Sequence, residues 1–516
     1  MTRRTIGSTA PIWRPFLSAV VLASSGVTFG AMSVWAQNFP VISSPLRLLQ
    51  LIALEVIACM SVLAIVGIRR GNLTPVAMTM SLAGLLFNAG GALSMRFGIV
   101  GAVALLVVVT TACAVLTHRV AQTNTRQLQG VALWFSIFLL IQPPLTVALN
   151  REAIPSSIVE SAPLPTRNTG SAEDFFLVVL DGYASFATLR DEFSHDNQIQ
   201  AILLEEGFQL VDAAWSASTR SEVAIAGLVN FGVPLDKGND LAVADSVVLH
   251  AMISGDARLF AMFGEAGYTL TYVESGWIGS VCGPAVDVCI RRLFVDEAVR
   301  TVADTSLVGH LRGTPWSHAS ARAGLHTLEE TGRLMGELGT NGVNDLVFAH
   351  VMLPHGPYVL GSDCMTTGAD VLDPADERSV RALGPSLRAA YLEQVGCVNL
   401  WIADLAAQAP DNAAVMLTGD HGSLFRGQML RDVSVWNAAD IAERAQTFLA
   451  SKLPAACGDN SGSSSSLEVL MDVSDCLLDT DLDRANAEKL WLFGNGPLPR
   501  CIEKPQGNTA ISDIRC

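Results

Sequence analysis

Five long apolar stretches crowd the first 150 residues, and no other feature of the chain restricts its fold as much. A bilayer core takes roughly 20 mostly apolar residues per helix. Phe16 to Ala36, Leu48 to Ile68, Pro75 to Met95, Gly98 to Thr117 and Val131 to Leu149 meet that length, so residues 1–150 are expected to form a transmembrane domain of five helices. Arg3, Arg4 and Arg14 precede the first stretch as they would a secretory signal. No convincing small-residue cleavage site accompanies it, and four more stretches follow, so it reads as a retained span. Lys and Arg favour the cytoplasmic side. They cluster before span one, after span two (Arg69, Arg70) and after span four (Arg119, Arg126), whereas the other two loops hold only Arg47 and Arg96. Five spans that start inside leave everything after Asn150 outside, in a multi-pass protein embedded in the membrane.

Charged residues become frequent beyond that point, and a soluble domain follows. The net charge of −16 argues against nucleic acid as a partner, since phosphate backbones select for an excess of Lys and Arg. Cys59 and Cys113 fall in predicted spans, while Cys282, Cys289, Cys364, Cys397, Cys457, Cys476, Cys501 and Cys516 fall in the soluble part. An even set with no Cys-x-x-Cys motif suits structural disulfides in an oxidising compartment. Pairing of sequence neighbours is the simplest connectivity, but on the order of a hundred pairings exist. The Pro- and Ser-rich stretch 151–173 reads as a linker, 174–455 as the catalytic domain and 456–516 as a disulfide-tied extension.

Within 174–455 three apolar runs end in polar residues. FFLVVLD ends at Asp181, AAVMLTGDHG carries Asp420 and His421, and DLVFAHVMLPHGPY carries His350 and His355. Each has the form of a buried strand. Helical periodicity at Asn197 to Glu206, Ala321 to Leu338 and Leu387 to Gln408 separates them, which predicts an α/β fold whose central, mostly parallel sheet is covered by helices. Sites in such sheets form at the carboxyl ends of strands, so the three polar ends are expected to converge.

Two carboxylates and an imidazole, from Asp181, Asp420 and His421, make a ligand set suited to Zn or Mn. A hydroxyl from WSASTRSEVAIAGLVN is the expected fourth ligand. At a helix N-terminus, beside a divalent cation, it would ionise more easily and serve as a nucleophile towards an anionic ester. Trp277, in SGWIGS, reads as a packing residue.

The ordered runs DFFLVVLDGYASFATLRDEFSHDN, GFQLVDAAWSASTRSEVAIAGLVN, FAHVMLPHGPYVL, YLEQVGCVNLWIADL and LTGDHGS span Asp174 to Ser423. Together they resemble the sulfatase-like branch of the alkaline-phosphatase superfamily, and in architecture the lipid A phosphoethanolamine transferases and lipoteichoic acid synthases. The resemblance implies metal ligation by Asp181, Ser221, Asp420 and His421, with Ser221 also the nucleophile and Thr219 as the fallback. It further implies that His355 contacts the substrate or its leaving group, and that the membrane is a cell inner membrane with the catalytic domain on its periplasmic face. Two departures stand out: serine occupies a position where the transferases carry threonine, and GDHGSLFRGQML lacks the further histidine of some relatives, with Arg426 as its possible anion-binding replacement.

The expected function is therefore transfer of a phospho-headgroup, phosphoethanolamine or phosphoglycerol, from a membrane phospholipid donor through Ser221 to a glycan or lipid acceptor. Sulfatase or phosphodiesterase hydrolysis is the alternative, although SASTR lacks the proline of the formylglycine motif it resembles at its ends. A catalytically inactive sensor or scaffold is the second alternative.

Overall fold

The computed structural model of the chain describes residues 13–38, 46–67, 73–150, 173–233, 249–277, 280, 282–291, 297–307, 319–337, 344–367, 377–427, 431–458, 462–494 and 500–504. The expected linker, all but its last residue, and Cys516, the neighbour expected to pair with Cys501, lie outside the described residues. The chain divides into two units, Met1–Glu152 with Phe294–Trp316, and Ala153–Leu293 with Ser317–Cys516.

The first unit holds α1 (Trp13–Val27), α2 (Phe29–Asn38), α3 (Leu46–Gly67), α4 (Thr74–Asn88), α5 (Gly90–Thr123) and α6 (Thr125–Asn150). The later segment adds the helix Glu297–Thr305, which packs on α2, α3 and α5. Among the described residues three helices are long and apolar enough to cross a membrane, Leu48–Val66, Ile99–Thr123 and Gln127–Val147. They become four if the bent pair Pro15–Val27 and Phe29–Ala36, which meet at 55°, is one span. The expected count of five is not reached among the described residues, where Thr74–Asn88 is a shorter apolar helix. The third expected span is broken where the run Asn88-Ala89-Gly90-Gly91, rich in poor helix formers, ends α4 after 15 residues. Asn88 has a partner there: its amide donates to the Val27 carbonyl at 2.9 Å, satisfying backbone exposed by the bend between α1 and α2.

The second unit is built on seven strands, β1 (Phe175–Asp181), β2 (Gln209–Leu210), β4 (Thr269–Val273), β5 (Val288–Ile290), β6 (Asp345–Pro354), β7 (Ala414–Gly419) and β9 (Leu449–Lys452). Their order is β2-β9-β7-β1-β6-β4-β5. The five from β7 to β5 run parallel, and β9 and β2 add antiparallel pairing at one edge. Two small sheets pair β3 (Ala214–Trp215) with β8 (Gln446–Thr447), and β10 (Lys489–Leu492) with β11 (Arg500–Glu503). Central β1 is buried along its whole length, between one core containing Phe176, Val178 and Leu180 and another containing Phe175, Leu177 and Val179. Each such side chain stabilises the fold by roughly 1.5–3 kcal/mol. Summed along the strand, that offsets the several kcal/mol that desolvating the terminal carboxylate costs.

Described residues after 455 pack into the same unit. Leu467, Val469, Leu470 and Met471 of the helix Ser466–Leu478 lie in the second core. Disulfides join Cys282 to Cys289, Cys364 to Cys397 and Cys457 to Cys476.

Candidate metal centre

Asp181 closes β1. The β1 to β6 register slips at this residue, pairing Leu180 with Val351 but Asp181 with Pro354, and such an irregularity re-aims a side chain. Asp181 is buried. Gly182 follows with φ +74°, a conformation that disfavours any side chain. It lies between His355 and His421, whose Cα and Cε1 atoms are each 3.8 Å from where a Cβ would stand.

Asp420 and His421 follow β7. Asp420 Oδ1 accepts from the N–H groups of Gly182 at 2.9 Å and His421 at 2.8 Å, which fixes this carboxylate between two strand ends. His421 Nδ1 lies 2.8 Å from the Gly422 carbonyl. A carbonyl can only accept, so Nδ1 carries the proton and Nε2 the lone pair. Gly422 explains itself by close approach: a Cβ would stand 2.2 Å from the Glu443 carbonyl oxygen and 2.5 Å from that of Gln446. Glycine thus lets the loop lie on the segment that carries Arg444, whose carbonyl accepts the Gly422 N–H at 2.8 Å.

Ser221 is the first residue of the helix Ser221–Val229, with Arg220 at the N-cap position. Its hydroxyl lies 3.0 Å from His421 Nε2 and interacts with Asp420. Thr219 is occupied elsewhere: its hydroxyl accepts from the Phe493 N–H at 2.8 Å and donates to the Phe493 carbonyl at 3.3 Å.

The candidate ligand atoms of Asp181, Asp420 and His421 all lie within 4.8 Å of one another. Asp181 Oδ1 and Asp420 Oδ2 are buried with no hydrogen-bond partner. Leaving such oxygens unsatisfied costs about 1–3 kcal/mol each, more when charged, and a cation held between them removes that cost. The donor set of carboxylate oxygens, an imidazole nitrogen and a nearby hydroxyl fits a divalent metal of the Zn or Mn kind. Glu274, Cys282 and Cys289 also cluster, but the two cysteines are joined in a disulfide and offer no thiolate.

The protonation states differ across the site. Burial alone would raise Asp181, but His355, His350 and His421 more than offset it and hold its carboxyl well below the usual range. Asp420 is pushed up to about 7 by burial and by the charge of Asp181. Burial, reinforced by the Arg444 charge, lowers His421 to about 3, so its ring is neutral.

His355 lies just past β6, half-buried, with Nδ1 2.6 Å from the Gly356 carbonyl, and it interacts electrostatically with both Asp181 and His421. His350 is fully buried, with Nε2 3.6 Å from Asp181 Oδ2. Trp277 packs edge-on against the His350 ring at 5.4 Å.

Arg426 pairs with Glu192, and a different arginine reaches the centre of the site. Arg426 places Nη2 2.7 Å from both carboxylate oxygens of Glu192, and Nε lies 3.8 Å from Glu443, which ties it to the loop. Arg444, which the sequence reading missed, is buried at the centre. Its Nε donates to the Thr219 carbonyl at 2.9 Å, Nη1 to the Gly422 carbonyl at 3.1 Å and Nη2 to His421 Nε2 at 3.1 Å. It sits in the helix Ala438–Ala445, sequence AADIAERA, where no motif distinguishes it from a surface charge.

The chain is similar to solved structures from the alkaline-phosphatase superfamily. The integral membrane lipooligosaccharide phosphoethanolamine transferase A of Neisseria meningitidis shares 14% identity over 87% of this chain and 90% of its own, with a TM-score of 0.36. The C-terminal periplasmic domain of EptC from Escherichia coli, in complex with Zn, shares 13% over 68% of this chain and 96% of its own, at 0.39. A protein of the alkaline phosphatase superfamily from Vibrio parahaemolyticus shares 12% over 69% and 88%, also at 0.39. No protein-family model matches the sequence, and no curated protein does. Likeness at this level leaves the chemistry to be argued from this chain's own side chains.

Proposed function

We propose that the chain is a membrane-anchored, metal-dependent transferase. It moves a phospho-headgroup, phosphoethanolamine or phosphoglycerol, from a membrane phospholipid through a covalent intermediate on Ser221 to a glycan or lipid acceptor outside the cytoplasm. The observation that carries this reading is the Ser221 hydroxyl, at a helix N-terminus and 3.0 Å from His421 Nε2, beside two buried carboxylate oxygens that accept no hydrogen bond.

Asp181, Asp420 and His421 would hold the metal, with Ser221 as fourth donor. Bound there, the cation supplies positive charge that eases ionisation of the serine and offsets the charge of the phosphoryl group. Ser221 attacks phosphorus in line. The bond from phosphorus to Ser221 Oγ forms as the bond to the lipid's alcohol oxygen breaks, and His355 balances charge on the departing oxygen by giving it a proton. The acceptor hydroxyl then attacks the same phosphorus, giving its proton to His355, as the bond from phosphorus to Ser221 Oγ breaks. His421, lowered to about 3, is a poor general base for the serine, which favours its role as a ligand.

The apolar helices of the first unit tether the chain to the membrane that holds the lipid donor, raising the donor's effective concentration. The three disulfides among the described residues suit an oxidising, extracytoplasmic compartment, here the periplasmic side of a cell inner membrane. The hydrolase alternative differs only in the acceptor, water instead of a hydroxyl.

Intact-protein mass spectrometry after incubation with mixed phospholipid and Zn tests the reading. A headgroup-sized adduct is expected on the wild type and not on Ser221→Ala, and its mass names the donor. Wild-type turnover by Ser221→Ala would refute the assignment. Turnover with release of free headgroup, and none passed to an added acceptor, would select hydrolysis.

A further inference from the structure

His421 Nε2 has one lone pair, and two donors point at it: the Ser221 hydroxyl at 3.0 Å and Arg444 Nη2 at 3.1 Å. That same nitrogen faces the two candidate carboxylates, 3.7 Å from Asp181 Oδ1 and 3.3 Å from Asp420 Oδ2. A metal that takes the lone pair leaves both donors without their acceptor. The serine hydroxyl has a new role as ligand and nucleophile, but the buried Arg444 N–H has none, and buried donors are seldom left unpaired. Its other contacts, to the Thr219 and Gly422 carbonyls, clamp the guanidinium between the segment leading to the nucleophile and the loop after the ligand pair. The freed N–H therefore stays beside Ser221.

Resting on the reading above, we propose that Arg444 is the residue that grips a non-bridging oxygen of the transferred phosphoryl group, and that metal occupancy of His421 Nε2 releases its N–H for that purpose. The site then needs no histidine after its Asp-His-Gly motif, and Arg426, bound to Glu192, is not required in its place. Metal and anion bind cooperatively in this arrangement, each favouring the arginine position the other uses.

The test is calorimetry on the full chain in detergent, using Zn alone and then inorganic phosphate, with wild type, Arg444→Gln and Arg444→Lys. Removing the competing donor and its charge should tighten Zn binding in Arg444→Gln, while phosphate affinity of the Zn-loaded protein should fall on the order of tenfold or more. Arg444→Lys, which keeps the charge, should recover part of the phosphate affinity. Opposite signs for the two ligands are not produced by a merely structural arginine, whose loss would weaken both. Unchanged phosphate affinity in Zn-loaded Arg444→Gln would overturn the proposal and leave the metal-dependent transferase standing. Failure of the wild type to bind Zn would overturn the transferase reading itself. Should neither variant fold, a structure of the Zn-loaded wild type with orthovanadate decides. An oxygen within hydrogen-bond distance of an Arg444 nitrogen supports the assignment, and vanadate bound with every oxygen away from Arg444 rejects it.

Discussion

The ends of β1 and β7 each deliver one aspartate to the same space, yet the two carboxylates are held in opposite ways. Asp181 is held ionised against its burial by neighbouring histidines, His355 foremost, and leaves Oδ1 without a hydrogen bond. Asp420 is anchored through Oδ1 by the N–H groups of Gly182 and His421 and presents Oδ2 to the same space. One is held ionised, whereas the other is pushed up to about 7 because burial and its neighbour's charge both oppose a second negative charge. A pair arranged in this way is poorly suited to standing alone and well suited to a divalent cation, which lets both ionise.

The largest expected effect lies beside the pair. Ser221→Ala should lower turnover by about 10⁴-fold or more, the scale of losing a nucleophile, while Zn remains bound through the other three ligands. Chelation should inactivate the wild type as completely, with Zn or Mn restoring it, and full turnover by stripped protein would refute metal dependence. The aspartates themselves should then separate. In Asp420→Asn the two N–H donors hold the amide oxygen, so the NH₂ group faces the metal, and Zn affinity should fall by on the order of 10³-fold. Asp181→Asn is free to turn its oxygen inward, and a loss of roughly 10–100-fold is expected, nearer to that of an outer-shell change. Equal losses in titration calorimetry would dissolve the distinction between anchored and unanchored carboxylates.

A pH series sharpens the comparison. Asp420 has a raised folded value, so its protonated form contributes stability to the metal-free protein that is fully present below about 4, the unfolded value. That contribution is lost as pH rises through about 7. Chelated protein should therefore show a Tm that declines between pH 5 and 8, and Zn should abolish the decline. Zn affinity should drop up to about tenfold per unit below that midpoint, because a proton competes for the same carboxylate. Asp181→Asn removes the neighbouring charge and should move both midpoints downward; a midpoint that stays in place would show that burial alone raises Asp420.

What was legible in the sequence follows from where the information sits. β1, β6 and β7 appear as apolar runs ending in polar residues because a strand covered on both faces leaves just that trace, and their convergence follows from parallel order. The helix expected from Ala321 to Leu338 is observed over Ala319–Glu337 for a related reason, its strong period. Arg444 left no such trace, since its importance comes from a glycine more than twenty residues earlier that admits close approach. The helix Ser466–Leu478, within the stretch expected only to be a disulfide-tied extension, follows a serine run that masks its start, although Ser465 and Glu468 stand at the spacing of a capping box, and the Ser465 hydroxyl does accept the Glu468 N–H. The break in the third apolar stretch was hidden by hydropathy, which averages over Asn88 and the glycines that follow.

Gly422→Ala gives the smallest expected effect on chemistry and probes the Asp420 side of the comparison alone. Its Cβ would stand 2.2 Å from the Glu443 carbonyl oxygen, and backbone on both sides cannot yield as a flexible side chain would, so the loop must lift off the 443–446 segment. The destabilisation should be about 1–3 kcal/mol, the usual scale of overpacking, seen as a lowered Tm in thermal unfolding. The lift also moves Asp420 and His421 away from Asp181 while leaving β1 untouched. Zn affinity should consequently fall in this variant, whereas Gly207→Ala, at a positive φ with open space around it, should lower Tm through backbone strain and leave Zn affinity unchanged. If both variants lost Zn affinity in proportion to Tm, global loosening would explain the effect, and the fixed geometry at the end of β7 would not be what holds the ligand pair in place.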